Sequence, residues 1–423
     1  MQEISFPLRI FRSLNYMKKF FSFLGLVLFV TTYAESAQPD SSVIKRVNEL
    51  SGIVQKKYAP DRRVEFYQLK QQTSAPLTYT LEVSRQEAAT ELKVLISSEN
   101  LPVLIKEEVL PSGDLGEKVY GIATLSVINT RYGPDHAAEM ATQAGLGTPL
   151  KVLKKERGHY FVRTPDNYLS WTESAGVSLM TKAEFENWQM AEKVIYTDLY
   201  GQAYSEASEE SLPVSDLVAG NIMQLISESN GFYKISFPDK RIAYISVKKA
   251  RSFDLWKDLP DPGADQILRT ARNFLGIPYL WGGTSVKGMD CSGFTKTSYF
   301  LNGIVLPRDA SQQALVGEKL DIHEGDSVNI AKSLKVLKAG DLLFFAANKK
   351  TKRVTHTAIY IGNGEFIQAA GLVRINSMIK GAKNYDDFQS RTMVGARRML
   401  TAIGEPEVTR VNKHPYYQRI INQ

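Results

Sequence analysis

The chain of 423 residues carries a single cysteine and five histidines. Cys291 stands in the segment PYLWGGTSVKGMDCSGFTKTSYFLNG, residues 278–303. A glycine-rich stretch ends at Asp290, and apolar residues then recur at Phe294, Tyr299, Phe300 and Leu301, as along a buried helix. This pattern predicts Cys291 in the first turn of that helix. There the helix dipole and unpaired backbone N–H groups favour a thiolate over a thiol. The same N–H groups can hold the oxyanion formed when a carbonyl is attacked. Ser292 and Gly293 are small and keep the approach open. The competing reading of a lone cysteine is an inert buried residue.

A thiol nucleophile needs a base. His136 and His159 fall in turn-rich segments, His323 in a charged loop and His414 near the C-terminus. Only His356 lies inside an apolar strand, RVTHTAIYIG. A core histidine bonded to a backbone carbonyl is the plain alternative. The following turn, Gly362-Asn363-Gly364, suits a three-residue hairpin loop. Such a loop pairs Ile361 with Glu365, and so Ala358 with Gln368. His356 shares a face with Ala358 because side chains alternate along a strand. Gln368 then becomes its diagonal neighbour, about 7–8 Å away between backbones. A Gln side chain spans that gap and can orient the imidazole, giving a Cys–His–amide triad of Cys291, His356 and Gln368.

These groups need a scaffold, and the chain is long enough for three or four domains. Residues 266–275 and 291–302 read as helices, and 342–346, 354–361 and 365–369 as strands, an α+β mix. A linker, DLPDPGAD at 258–265, precedes them. Upstream, residues 118–252 repeat at a constant offset of 73: Gly147 with Gly220, Gly158 with Gly231, Tyr160 with Tyr233, Pro165-Asp166 with Pro238-Asp239. Each copy alternates short apolar runs with Gly or Pro-Asp turns, as consecutive antiparallel strands do. Tyr168 in the first copy faces Arg241 in the second, and Glu139 faces Leu212. Residues 44–110 read as a small α/β unit. The expected organisation is a leader at 1–34, an N-terminal α/β domain at 35–117, barrels at 118–187 and 188–257, a catalytic domain at 258–400 and a tail at 401–423.

The formal charge of +7 is partly N-terminal, from Arg9, Arg12, Lys18 and Lys19 against Glu3. No basic block is dense enough for nucleic-acid binding. Lys18 and Lys19 precede an apolar run at 20–30, and Thr32-Tyr33-Ala34 forms a cleavage site. That reads as an export signal, too short to span a membrane. No metal or other cofactor is implied, because the histidines and the one cysteine lack ligand spacing.

The blocks YLWGGTSVKGMDCSGF, LPRDASQQ, LKAGDLLFF and THTAIYIGNGEFIQAAG match in order the motifs of the NlpC cysteine peptidases, which this chain resembles over residues 264–400. The resemblance implies a papain-like α+β catalytic domain that hydrolyses peptide or amide bonds of the cell wall. It implies Cys291 as nucleophile and His356 as base, with Gln368 where the family most often has His. The repeats resemble bacterial SH3-like barrels, and the whole resembles the γ-D-glutamyl-L-diamino-acid endopeptidases. In these the first barrel reaches over the cleft and binds the free amine of an N-terminal L-Ala through a Glu and a Tyr. The segment NYLSW then points to Tyr168. In MATQAGLGTPL the aligned residue is Ala141, with Glu139 two positions earlier on the same strand face. Tyr279 matches a Tyr beside the reacting carbonyl. Asp290, Ser292 and Ser311 match positions that contact substrate amine or carboxylate. Beside this stand plainer readings: a helix cap for Asp290, turn residues for the serines and a structural ion pair for Arg308. The implied partners are murein peptides (L-Ala-γ-D-Glu-diamino acid), met by an exported monomer in the periplasm. Action on intact wall, or wall binding without catalysis, are the alternatives.

Overall fold

A computed structural model describes residues 40–418 apart from Ala75 and Lys349. The leader expected at 1–34 and the last five residues of the tail lie outside the described residues. The described chain begins with the helix Ser41–Tyr58, whose first turn is capped by the Asp40 carboxylate accepting from the Ser42 N–H at 2.8 Å. Its residues Val47, Leu50 and Val54, at helical spacing, are buried. The strands Tyr67–Ser74 and Leu77–Val83 pair antiparallel, and Leu104–Val109 joins Leu77–Val83 in parallel after the helix Gln86–Ser98. Leu81, Val83, Ala88, Ala89 and Leu92 close this core.

Two seven-stranded sheets follow, each antiparallel in every paired strand. Every strand of the second begins 73 residues after its counterpart in the first, from Tyr120–Ala123 and Lys193–Tyr196 to Val177–Met180 and Ala250–Ser252. Strand order is also the same in both sheets. Even the irregularities recur: the ladder slips between Thr130 and Arg131 in the first and between Ala203 and Tyr204 in the second. The repeat read from turn residues is therefore a repeat of backbone structure.

The last part is built on a six-stranded antiparallel sheet, in the order Glu318–Lys319, Met393–Arg398, Leu342–Ala346, Val354–Gly362, Glu365–Ala370, Leu372–Ser377. One face carries the helices Ala264–Asn273 and Cys291–Phe300 through Ile267, Ala271, Phe274, Phe294 and Tyr299 against Phe344, Ile359 and Ile367. The tail, left open by the sequence as ordered or not, is packed as far as it is described. Tyr417 is buried beside Phe253 and Phe300, and His414 Nε2 lies 2.8 Å from the Pro165 carbonyl.

The first repeat is tied to the cysteine helix by charge as well as by shape. The wholly buried side chain of Asp166 pairs with Lys296 Nζ at 2.5 Å. Removing one partner of such a pair leaves an uncompensated charge in a poorly hydrated place. Asp166→Ala is expected to lower stability by about 3 kcal/mol, toward the low end for buried pairs because Lys296 keeps some solvent contact. Urea unfolding followed by tryptophan fluorescence measures it; a loss below about 1 kcal/mol would place this pair with ordinary surface bridges.

Candidate active site

The helix Cys291–Phe300 starts where the sequence places it. Asp290 is its N-cap, and Oδ1 accepts from the Gly293 N–H at 2.6 Å. Gly293 has a steric reason to be glycine: a Cβ there would stand 2.0 Å from the Gly283 carbonyl oxygen. Asp290 and its neighbour form a buried clasp with Arg308, which is 1% exposed. Arg308 Nη2 donates to Asp290 Oδ2 at 2.6 Å, and Nη1 donates to Asp290 Oδ1 at 3.1 Å and to Ser292 Oγ at 2.9 Å. Its Nε reaches Thr142 Oγ1 of the first repeat at 2.6 Å. The Gly282 N–H donates to Asp290 Oδ2 at 3.0 Å.

Cys291 is buried, and burial together with the Asp290 charge pushes its thiol up to about 12. The backbone N–H groups of Thr357 and Ser292 and the Arg308 charge pull the other way without prevailing. Against the expected thiolate, dehydration and a carboxylate next in sequence favour the thiol.

His356 lies on the strand Val354–Gly362, its ring against Phe345 with centroids 5.6 Å apart. Its Nε2 is 2.6 Å from Gln368 Oε1. An amide oxygen only accepts, so Nε2 carries the proton and Nδ1 is left as the basic nitrogen. Burial lowers the imidazole below its usual value, against the Gln368 bond and the Asp386 and Asp290 charges; Arg374 adds to the lowering. Burial thus favours the neutral form of both groups, a thiol and an uncharged imidazole.

The hairpin register is the one expected, with Ile359 opposite Ile367 and Tyr360 opposite Phe366. The turn differs. Gly362 pairs with Glu365 around the two residues Asn363 and Gly364, both at positive φ (51° and 80°), and Ile361 bulges out. A two-residue turn with both φ values positive matches strand twist, and the bulge restores the register that a longer loop would have set.

Cys291 opens on a cleft whose walls come from three parts of the chain: Arg63 from the N-terminal unit, Tyr132 and Ala141 from the first repeat, and Tyr279, Trp281, Asp309, Ser311 and Arg353 from the last. The backbone N–H of Tyr279 donates to the Gly371 carbonyl at 2.9 Å, while its hydroxyl makes no hydrogen bond among the described residues. Burial, Cys291 and Asp290 raise its phenol, keeping it a donor.

Comparison with known proteins bears on this arrangement. Residues 276–397 match the NlpC/P60 family, and residues 131–177 match the bacterial dipeptidyl-peptidase Sh3 domain. A gamma-D-glutamyl-L-lysine dipeptidyl-peptidase of Bacillus cereus is 32% identical over 244 residues, 55% of this chain and 68% of its own length. The chain belongs to the NlpC/P60 family. Dipeptidyl-peptidase 6 of Lysinibacillus sphaericus is 26% identical over 255 residues, 58% of this chain and 86% of its own. The crystal structure of an NlpC/P60 family protein from Bacillus cereus superposes with a TM-score of 0.56 at 25% identity, covering 66% of this chain and 99% of that one.

Within this NlpC/P60 protein the other expected site residues divide. Tyr279, Asp290, Ser292 and Ser311 line the cleft. The oxygens of Asp290, however, are filled by Arg308, Ser292, Gly282 and Gly293, so the helix-cap and ion-pair readings describe Asp290 and Arg308. Ser292 belongs to the same clasp. Tyr168 is wholly buried; its hydroxyl donates to Asp309 Oδ2 at 3.1 Å and lies 2.9 Å from the Tyr132 hydroxyl, so Tyr132, not Tyr168, meets the cleft. Glu139 precedes the strand Met140–Gly145 instead of lying in it, and the ladder slips at Ala141, which undoes the expected two-residue alternation. Its Oε1 accepts from Trp281 Nε1 at 2.8 Å on the rim.

Sequence reasoning missed Arg63 and Asp309. Arg63 Nη1 donates to Asp309 Oδ2 at 2.8 Å and to Ser311 Oγ at 2.9 Å, while Nε and Nη2 clasp Asp61. Asp309 lies within the block LPRDASQQ and could have been noted there. Nothing around Arg63 announces a partner 246 residues away.

The imidazole of His356 is expected to titrate below 6.5, by NMR of the unliganded protein. Its folded value is depressed, so the unfolded chain binds the proton first as pH falls. The stability it contributes is present above 6.5 and lost as pH drops through the folded value. Iodoacetamide should alkylate Cys291 slowly at neutral pH, with a rate still rising beyond pH 9; a plateau below pH 8 would overturn the assignment of a dehydrated thiol.

Proposed function

We propose that this protein is a cysteine endopeptidase that hydrolyses the γ-D-Glu–diamino acid bond of murein stem peptides bearing a free N-terminal L-Ala. The observation that carries the reading is the cleft at Cys291, closed on one side by the first repeat and by Arg63. As the sulfur attacks the γ-carbonyl, its proton passes to His356 Nδ1. The Tyr279 hydroxyl and backbone N–H groups stabilise the oxyanion. His356 then protonates the leaving amine and later activates the water that releases the acyl group.

Selection of a free amine has a physical basis. Two carboxylates, Asp61 and Asp309, share the single guanidinium of Arg63. That cluster therefore carries one negative charge in excess, and the separate charge of Arg308 is spent on Asp290. In this reading Asp309 and the Tyr132–Tyr168 pair take the part given above to Glu139 and Tyr168. A wall in this position suits released peptides better than polymeric wall, and so a role in peptide recycling. We infer also that both repeats are SH3-like barrels, that residues 1–34 direct export and that the protein acts as a monomer in the periplasm.

The L-Ala-γ-D-Glu-diamino-acid tripeptide should be cleaved, and Cys291→Ala should abolish cleavage. Its N-acetylated form should be cleaved about 10- to 100-fold less efficiently, the range of one lost charge-assisted hydrogen bond. Equal cleavage of both forms would remove amine selection, and preferential release from intact peptidoglycan would favour action on the wall. Asp309→Asn keeps an acceptor and removes the charge. It should raise KM for the free-amine peptide about tenfold while leaving the acetylated peptide unaffected, narrowing the ratio between them.

A further inference from the structure

The third member of the triad is an amide, and an amide has two unlike ends. With Oε1 toward His356, the imidazole carries its proton on Nε2 and keeps a lone pair on Nδ1 for the thiol. With the NH2 end toward His356, Nε2 must accept, the proton moves to Nδ1 and the ring cannot take the thiol proton. The orientation of Gln368 therefore decides whether the site can work. Shape alone barely distinguishes the two, because the ends are of similar size.

Three partly buried hydrogen bonds make the choice. Gln368 is fully buried, with Oε1 2.6 Å from His356 Nε2. Its Nε2 donates to Asn376 Oδ1 at 2.9 Å and to Asp386 Oδ2 at 3.1 Å. Asn376 is itself an amide, held against turning by one long bond from its Nδ2 to the Asn384 carbonyl at 3.3 Å. Asp386 cannot be reversed at all. An ionised carboxylate only accepts, so it can face only the NH2 end of Gln368. It is also held in place: Oδ1 caps the helix Asp387–Thr392 by accepting from the Gln389 N–H at 3.0 Å, and its own N–H donates to the Ser377 carbonyl at 2.9 Å.

We propose that Asp386 is a positioning residue that locks the amide of Gln368, and through it selects the Nε2–H tautomer of His356. The consequence for turnover rests on the reaction proposed above; the tautomer does not. A carboxylate at 368 would need no lock, since both its ends accept.

The test uses the full chain. Two-bond 1H–15N correlation of the His356 ring reads the tautomer directly, whether or not the tripeptide is a substrate. The wild type should show Nε2–H. Asp386→Ala should show a mixture or Nδ1–H, with kcat reduced at least tenfold and KM changed less than twofold. Asp386→Asn, nearly isosteric, can keep the fold and the helix cap should the alanine variant not fold, and should also show a mixture. Adding Gln368→Glu to Asp386→Asn should restore Nε2–H and recover most of kcat. An unchanged tautomer in both single variants overturns the proposal. So does a double variant no better than Asp386→Asn. A normal tautomer shift with no tripeptide cleavage by any variant would uphold the lock and count instead against the proposed substrate.

Discussion

The buried ion pair between Arg308 and Asp290 is the contact on which the cleft depends. Taking two charges out of water costs several kcal/mol per ion, repaid only when the remaining donors and acceptors are also satisfied. Here they are: Asp290 caps the cysteine helix and accepts from the Gly282 N–H, while Arg308 bonds Ser292 and, in the first repeat, Thr142. One guanidinium thus fixes the turn before Cys291, the loop that follows the cysteine helix and the wall opposite. Burial, and after it the same carboxylate, raises the adjacent thiol. In the reaction proposed above, the burden of activation then falls on the imidazole.

That division explains the attention the fold gives to His356. Its ring is packed on Phe345, its Nε2 is taken by Gln368 and the far end of Gln368 is taken in turn by Asn376 and Asp386. A base of lowered basicity is useful at neutral pH only if the correct nitrogen is free, and the strand Leu372–Ser377 with the turn after it supplies that constraint.

Much of this was legible in the chain because it is local or periodic. The 73-residue offset survived as strand starts, and the alternation around His356 gave the right face and register for Gln368 even though the turn was a residue shorter and a bulge made up the difference. The cysteine helix was announced by its own cap and apolar spacing. What was not legible depends on distance or on dehydration. Arg63 meets Asp309 from 246 residues away, and no pattern near residue 63 encodes that meeting. The burial of Tyr168 and the raised thiol follow from packing that only the assembled protein possesses. Glu139 was misplaced because a slipped ladder breaks the parity on which strand-face arguments rest.

The slip itself is common to both repeats but is used by one. It occurs at equivalent points of both copies, yet only in the first does the bent segment press on the loop before Cys291, where a side chain on Gly282 would stand 3.0 Å from the Met140 carbonyl oxygen. In the second copy the residue equivalent to Glu139 is Leu212, 78% exposed. The two copies therefore share one backbone distortion and differ in what it meets: in the first it is packed under the loop that leads to Cys291, and in the second it leaves an apolar side chain in solvent.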